Sequence, residues 1–214
     1  MRARLAALCF ALLTSSGLTV FAAANAGPPE VAFAGDHYHL NFRDEGTTPD
    51  GAPGDAIAEF TLSGETVDDW TRMFAYYLFP DSGDDPVLMT QEVARAVKET
   101  NPDASYVLTE DTAHDAAMID FLTWEPGSDV GEFNVFKYAP AKSGPGLVAM
   151  QFVQRFNVAD MDKEHFQDMR RRMVAEMSKA DITPARRFFA RQSTEKLGSA
   201  RATAGTASEA GADR

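Results

Sequence analysis

The sequence predicts one α+β domain in which helices pack on the faces of an antiparallel sheet of about five to six strands. Four segments rich in Val, Ile, Phe, Tyr and Trp follow one another between residues 104 and 156, as strands do. The turns between the later segments contain Gly and Pro and are short enough for hairpins, which favours antiparallel pairing. Helical periodicity falls outside this run instead of alternating with its segments, and such segregation is typical of α+β folds.

The chain opens with the pattern of an export signal. Arg2 and Arg4 precede an apolar stretch, and Ala24-Asn25-Ala26 places small residues where signal peptidase cleaves. We therefore expect residues 1–26 to be a signal peptide and the mature chain to begin at Gly27. An uncleaved anchor helix is the alternative.

Cleavage at that point would also remove Cys9, the one cysteine. The mature chain would then have no disulfide, no thiolate nucleophile and no cysteine metal site. After a loosely ordered leader over residues 27–35 we expect a single domain over residues 36–191, since the mature length suits one core. Residues 192–214 are mostly small or polar, and we expect them to form a disordered tail. No apolar run after the signal is long enough to cross a membrane, so the expected location is periplasmic or secreted.

The first part of the domain is predicted to form two strands joined by a loop. Residues 36–42 alternate between apolar and polar side chains, and residues 56–62 resume strand character. Residues 43–54 between them are rich in Gly, Pro, Asp and Thr, which predicts a loop.

A helix is predicted between Thr66 and Pro80. Thr66 is a natural N-cap, and the proline with the turn that follows it would end the helix. Apolar side chains recur at three- and four-residue intervals and would share one face: Val67, Trp70, Met73, Phe74, Tyr77 and Leu78. Asp68 and Arg72 have the spacing of an ion pair on the opposite face. We expect this helix to cover the sheet, with Trp70 as its anchor.

Two more helices and four strands follow. The second helix would have Asp85 as its N-cap and Pro86 at its first position, and would end at Asn101-Pro102. The third would run from about Asp160 to Lys179, and residues 186–191 would add one more turn. The four strands are predicted over residues 104–108, 116–125, 130–138 and 147–156.

Charge is divided unevenly along the chain. Residues 27–135 carry 23 acidic and 4 basic side chains, a net of −19, whereas residues 136–214 carry 9 acidic and 14 basic, a net of +5. The negative total disfavours nucleic acid and anionic membranes as partners. Either the two parts attract each other within one fold, or the C-terminal part meets an anionic partner.

The histidines and serines show no strong catalytic or metal-binding pattern. His37 and His39 share one strand face, but two ligands fall short of the three that a zinc site needs. His114 is followed directly by Asp115, and sequence neighbours do not hold each other in the base-and-orienter geometry of a hydrolase. There is no Gly-x-Ser-x-Gly turn and no Gly-rich phosphate loop. We expect no metal and no cofactor.

The candidate binding residues lie on the central predicted strands and are Asp120, Lys137, Gln151 and Arg155. Asp120 alternates with Met118 and Leu122, so it would lie on a largely apolar face where an unpaired carboxylate is costly. Arg155 or Lys137 from a neighbouring strand is an available partner. These side chains form either ion pairs across the sheet face or the lining of a ligand pocket.

Three short motifs carry a resemblance to a known group of proteins. They are Ile57-Ala58-Glu59-Phe60, Gly64-Glu65-Thr66-x-x-x-Trp70-Thr71 and Trp124-Glu125 at a later strand end. In these motifs residues 36–178 resemble a family of uncharacterised exported bacterial proteins, and their order of strands and helices is similar to that of the PsbP-like fold. The resemblance implies an envelope protein without an established activity, and it carries no catalytic residue to this chain.

The function expected from the sequence is that of a binding module in the periplasm, with an unidentified small ligand or an envelope protein as its partner. The absence of a convincing catalytic set favours this interpretation over an enzyme. The alternative is an envelope hydrolase or another enzyme that uses sheet-face carboxylates together with Arg155.

Overall fold

The computed structural model describes residues 29–48, 53–125 and 127–190, and the predicted signal peptide and tail lie outside them. The strands are β1 (Glu30–Phe33), β2 (Asp36–Thr47), β3 (Pro53–Thr61), β4 (Arg72–Phe79), β5 (Tyr106–Asp111), β6 (Ala116–Trp124), β7 (Val130–Pro140) and β8 (Leu147–Asn157). The helices are α1 (Pro86–Thr100), α2 (Lys163–Lys179) and α3 (183–190). None of these three helices is long and apolar enough to cross a membrane.

One antiparallel sheet holds all eight strands, in the order β1-β2-β3-β4-β8-β7-β6-β5. The strands form two four-stranded meanders, β1 to β4 and β5 to β8, which join where β4 pairs with β8. The predicted α+β class with an antiparallel sheet is therefore confirmed. The predicted count of five to six strands is wrong, because β1 and β4 lie in segments predicted to be a leader and a helix.

The helix predicted between Thr66 and Pro80 is wrong. Its second half is β4, a strand at the centre of the sheet, and residues 62–71 before it form turns. The side chains of β4 alternate between the two faces of the sheet, and almost all of them are buried. A strand buried on both faces shows an unbroken apolar run, which periodicity alone cannot distinguish from a buried helix.

The polar contacts predicted for that helix change accordingly. The Thr66 hydroxyl accepts a hydrogen bond from the Asp69 N–H at 3.2 Å, as an N-cap would, but the bond closes a turn in a loop. Arg72 pairs with Asp36 at the start of β2 and not with Asp68. The ion pair thus joins two strands that are distant in sequence.

Strand pairing also extends into segments predicted to be irregular. β1 pairs with β2 inside the predicted leader, residues 27–35. The β2–β3 hairpin extends into the predicted loop, residues 43–54, as far as Thr47 opposite Pro53. Beyond the end of β1 the side chains of β2 are mostly polar and exposed. Such an outer hairpin lacks the apolar alternation on which strand prediction depends.

The elements after β4 follow the sequence closely. α1 begins after Asp85, whose carboxylate accepts hydrogen bonds from two backbone N–H groups of the first turn, and it ends at Asn101. α2 begins after Asp162 instead of at Asp160. Residues 186–190 of the turn predicted over residues 186–191 belong to α3, and residue 191 lies outside the described residues. β5 to β8 match the four predicted strands to within about three residues at each end.

Helices cover both sides of the sheet. α1 packs over β5, β6 and β7, and we call this side the α1 face. α2 and α3 pack on the other side, the α2 face. The side chains that they bury against the sheet include Met169, Met173, Met177 and Phe189. The core therefore consists of two apolar layers separated by the sheet.

Candidate functional site

The four binding residues predicted from the sequence divide between the two faces. Asp120 and Lys137 lie on the α2 face, whereas Gln151 and Arg155 lie on the α1 face. The sheet stands between the two pairs, so the four side chains do not line one pocket.

Asp120 is paired with a helix and not with a neighbouring strand. Its side chain is 5% exposed, and Arg170 of α2 donates to both carboxylate oxygens, from Nε at 2.5 Å and from Nη2 at 3.1 Å. The pairing expected with Arg155 or Lys137 is wrong, because the first lies on the opposite face and the second bonds elsewhere. A bidentate ion pair of this kind fixes the position of α2 on the sheet.

Lys137 is bound to the end of the same helix. Its Nζ donates to the carbonyl oxygens of Ser178 at 3.0 Å and Ala180 at 2.9 Å, where the backbone of α2 lacks partners of its own. Burial lowers the pKa of Lys137. A cation in this position also complements the negative end of the helix dipole. Lys137 therefore secures the end of α2.

Gln151 belongs to a buried chain of polar side chains on the α1 face. The Tyr77 hydroxyl donates to Gln151 Oε1 at 2.5 Å, and Gln151 Nε2 donates to Asn134 Oδ1 at 2.7 Å. The three residues come from β4, β8 and β7, which are adjacent strands. Each amide is oriented by its neighbour, so the chain links the middle of the sheet and avoids the cost of unsatisfied buried groups.

Arg155 lies at one end of this face and stacks on Trp70. Its guanidinium carbon is 3.7 Å from the centre of the Trp70 ring, and its Nε donates to Glu132 Oε1 at 2.8 Å. Trp70 in turn packs on Met73 and Val153. The side chains of Arg155 and Glu132 retain 26% and 30% exposure, so a ligand could still reach them.

The loop before β4 explains why Trp70 is held there. One carboxylate oxygen of Glu65 accepts hydrogen bonds from the Thr71 N–H at 3.1 Å and from the Thr71 hydroxyl at 2.5 Å. The Thr71 carbonyl accepts from the Arg155 N–H at 2.9 Å, which ties the loop to β8. The hydrogen bonds of the motif from Gly64 to Thr71 thus hold Trp70 over the sheet.

Glu59 is a candidate that the sequence analysis missed. It lies on β3, opposite Phe42 of β2 and Ala75 of β4, in the part of the α1 face beyond α1. We call this part, which carries Phe42, Ile57 and Glu59, the open half. Within the described ranges the Glu59 carboxylate has no hydrogen-bond or ion-pair partner, and burial alone raises its pKa to about 7. The available signal was a carboxylate at an inward position of an apolar strand.

The open half and the buried polar chain are continuous across the sheet. Ala75 lies opposite Glu59 on one side and opposite Gln151 on the other. Glu59, Ala75 and Gln151 therefore form one row across three neighbouring strands, which we call the candidate row. Only the small side chain of Ala75 separates the other two. A carboxyl that titrates near neutral pH both donates and accepts hydrogen bonds, so this row can serve either kind of ligand group.

Comparison with known proteins adds a family but no activity. A protein-family model matches residues 26–182. The chain belongs to this family. The family is uncharacterised, and no curated protein or solved structure matches the chain. The resemblance to the PsbP-like fold therefore stays a prediction.

The family match covers both faces of the sheet described above. Glu59, Gln151 and Arg155 on the α1 face all lie within it, as do Asp120 and its partner Arg170 on the α2 face. α3 begins after the match ends. The candidate row on the α1 face thus belongs to the shared part of the chain.

The histidines singled out in the sequence have carboxylate neighbours. His37 and His39 both turn toward Glu30 of β1. His114 contacts Asp111 at 2.8 Å and not the adjacent Asp115. Among the described residues there is no group of three or more His, Cys, Asp or Glu side chains that could hold a metal ion.

An acidic cleft of about 440 Å³ lies where the start of α1, the end of β5 and Pro140 meet. Asp84, Asp85, Glu110 and Asp115 contribute to its lining. The Asp85 carboxylate is already engaged by the first turn of α1. Four acidic residues therefore line the cleft, but the contacts around it are those of a helix start and a turn.

Proposed function

We propose that the protein is an exported binding module of the periplasm and that it takes a small polar ligand on the open half of the α1 face. The observation that carries this proposal is the Glu59 carboxylate, which is partly buried without a partner among the described residues. Beside it Phe42 keeps 42% of its surface exposed. A carboxyl next to an accessible aromatic ring is a usual combination in sites for small ligands.

The energetics of Glu59 favour a ligand over a purely structural role. Removing a carboxylate from water without a compensating hydrogen bond costs free energy, and nothing in the described part of the fold repays that cost. A ligand that donates to Glu59 would supply the missing bond. Phe42 and Ile57 would cover the apolar part of the ligand, and Gln151 lies across Ala75 in the same row.

One further observation supports the wider proposal. The family match begins at residue 26, next to the mature start expected at Gly27, which supports export with cleavage of the signal. The PsbP-like relationship suggested by the order of strands and helices is part of the proposal, and a solved structure of a family member would test it.

A second candidate function is an enzyme that uses Glu59 as a general acid or base. The observation that favours it is the same carboxyl, since a pKa of about 7 suits proton transfer near neutral pH. In this case Glu59 would be the carboxylate of the enzyme that the sequence offered as an alternative. Arg155, which is 26% exposed, lies at the far end of the α1 face.

Thermal shift at pH 7 tests the binding site. The chain is screened against sugars, amino acids, organic amines and small anions, in parallel with Glu59→Gln and with Glu99→Gln, an exposed carboxylate on α1. We expect at least one compound to raise the melting temperature of the wild type and of Glu99→Gln but not of Glu59→Gln. Compounds that stabilise all three proteins equally, or a screen without any response, would rule the site out. Chemical conversion of a hit by the wild type, lost in Glu59→Gln, would favour the enzyme.

A further inference from the structure

The basic side chains of strands β1 to β4 lie away from the open half. These four strands contain two arginines and no lysine. Arg43 lies opposite Ala58, and Arg72 alternates with Phe74. Ala58 and Phe74 are buried on the α2 face, so both arginines lie on that face, where each is paired with a carboxylate. Glu59 therefore shares its face with no arginine or lysine of β1 to β4.

Among the described residues, three titratable side chains adjoin Glu59 on the same face. By register they are His39 and Asp44 of β2 and Tyr77 of β4. His39 contacts Glu30 of β1, and the Tyr77 hydroxyl donates to Gln151, so both already have partners. Asp44 is exposed and adds a second negative charge to this part of the face. An anionic ligand would thus meet carboxylates and, in the described part of the open half, no arginine or lysine.

We propose that the ligand of the open half is an organic cation with a primary ammonium group, an inference that rests on the binding site proposed above. The ammonium group would donate to the Glu59 carboxylate and supply the partner that the described residues do not. Hydrogen bonds between charged groups are the strong ones. The apolar part of the ligand would lie on the ring of Phe42, which is directly opposite Glu59 and 42% exposed. The face of an aromatic ring also attracts cations.

The charge of the chain favours a cation over a neutral ligand. The formal net charge is −12 at pH 7, and residues 27–135, which include the open half, carry a net of −19. A negative surface raises the local concentration of cations. A bound cation also favours the ionised form of Glu59, whose pKa burial raises to about 7, so binding should release part of a proton.

A matched series of probes tests the charge of the ligand. Phenylethylamine, phenylethanol and phenylpropanoate share an apolar group and end in a cation, a neutral hydroxyl and an anion. In isothermal titration calorimetry at pH 7 we expect the amine to bind the wild type about tenfold more tightly than the alcohol, and the carboxylate not to bind. Glu59→Gln should bind the amine no better than the alcohol. Glu99→Gln, which removes an exposed carboxylate of α1, should behave as the wild type does.

The outcomes separate the class of ligand from the site itself. If the alcohol or the carboxylate binds as tightly as the amine and Glu59→Gln abolishes this binding, the site stands and the cation is wrong. If the amine binds the wild type and Glu59→Gln equally, both the site and the cation are wrong. If the amine does not bind at all, the cation is wrong, and the wider thermal-shift screen still tests the site.

The pH dependence of the amine affinity is a second measurement, and it decides the question if Glu59→Gln does not fold. Since the ionised carboxylate is the form that pairs with the amine, the affinity of the wild type should rise about tenfold between pH 6 and pH 8. A histidine can titrate in the same range, so His39→Gln is the control and should keep this rise. A constant affinity of the wild type, or a rise that disappears in His39→Gln, overturns the pairing of the amine with Glu59.

Discussion

The guanidinium of Arg155 lies 3.7 Å over the centre of the Trp70 ring while its Nε donates to Glu132. This contact joins the loop before β4 to the centre of the sheet. Trp70 is only 7% exposed, so its aromatic side chain packs the loop onto the sheet. Trp70 therefore anchors its segment to the sheet as predicted, but the segment is a loop and not a helix.

We expect Arg155→Met to lower the free energy of unfolding by about 1–2 kcal/mol, because it removes a partly desolvated cation–π contact and an ion pair but keeps most of the apolar stem. Urea denaturation measures the loss. Arg171→Met is the matched control, since its pair with Asp168 on α2 is exposed and should contribute little. Equal effects of the two substitutions would mean that Arg155 does not hold the loop.

Glu59 should make stability depend on pH. Its pKa in the folded chain is about 7, above the ordinary value of 4.5, so the folded state holds the proton more tightly than the unfolded state does. The contribution of the protonated Glu59 carboxyl to folding stability is fully present below about pH 4.5 and is lost as the pH rises through 7. The free energy of unfolding of Glu59→Gln, measured relative to that of the wild type, should therefore rise by about 1–3 kcal/mol between pH 4 and pH 8.

Urea denaturation at several pH values measures this difference. Glu99→Gln serves as the control because Glu99 is exposed on α1 and should leave the pH dependence unchanged. Parallel stability curves for the wild type and Glu59→Gln would show that Glu59 ionises as an ordinary surface carboxylate does.

α1, which buries one face and exposes the other, could be predicted from the sequence. α1 has a capping aspartate, a proline in its first turn and a single apolar stripe that includes Val93 and Val97, and it was found where expected. β4 has apolar side chains on both faces, so its strand period is hidden, and three- and four-residue spacings arise by coincidence. The decisive information was its position between β3 and β8, which is a property of the whole sheet.

The candidate site was harder to predict because the face of the sheet on which each side chain lies depends on the register between strands. A shift of one residue between strands moves every side chain to the opposite face. In the observed register Asp120 lies opposite Val135 and Arg155 lies opposite Glu132, which separates the two expected partners by the sheet. The true partner of Asp120 comes from α2, and no local pattern reveals such a pairing.

Removing Arg170 should be costly because it would leave the Asp120 carboxylate buried without a partner. We expect Arg170→Met to destabilise the chain by about 3–5 kcal/mol. Asp120→Leu should cost less, since the Arg170 side chain is 36% exposed and can turn to water. The double variant should recover a large part of the loss of Arg170→Met. A double-mutant cycle by urea denaturation tests this, and additive losses would contradict a coupled pair.

Lys137 should control the end of α2 specifically. Lys137→Met leaves the carbonyl groups of Ser178 and Ala180 without their side-chain donor, and we expect a loss of about 1–3 kcal/mol. Amide hydrogen exchange should quicken in the last turn of α2 while β7 and β8 stay protected, because local opening precedes global unfolding. Lys179→Met is the control, since Lys179 is exposed and makes its contact within the helix. If both variants exchange alike, the carbonyl contacts of Lys137 do not secure the helix, and α2 is held to the sheet chiefly by Arg170 and the methionine face.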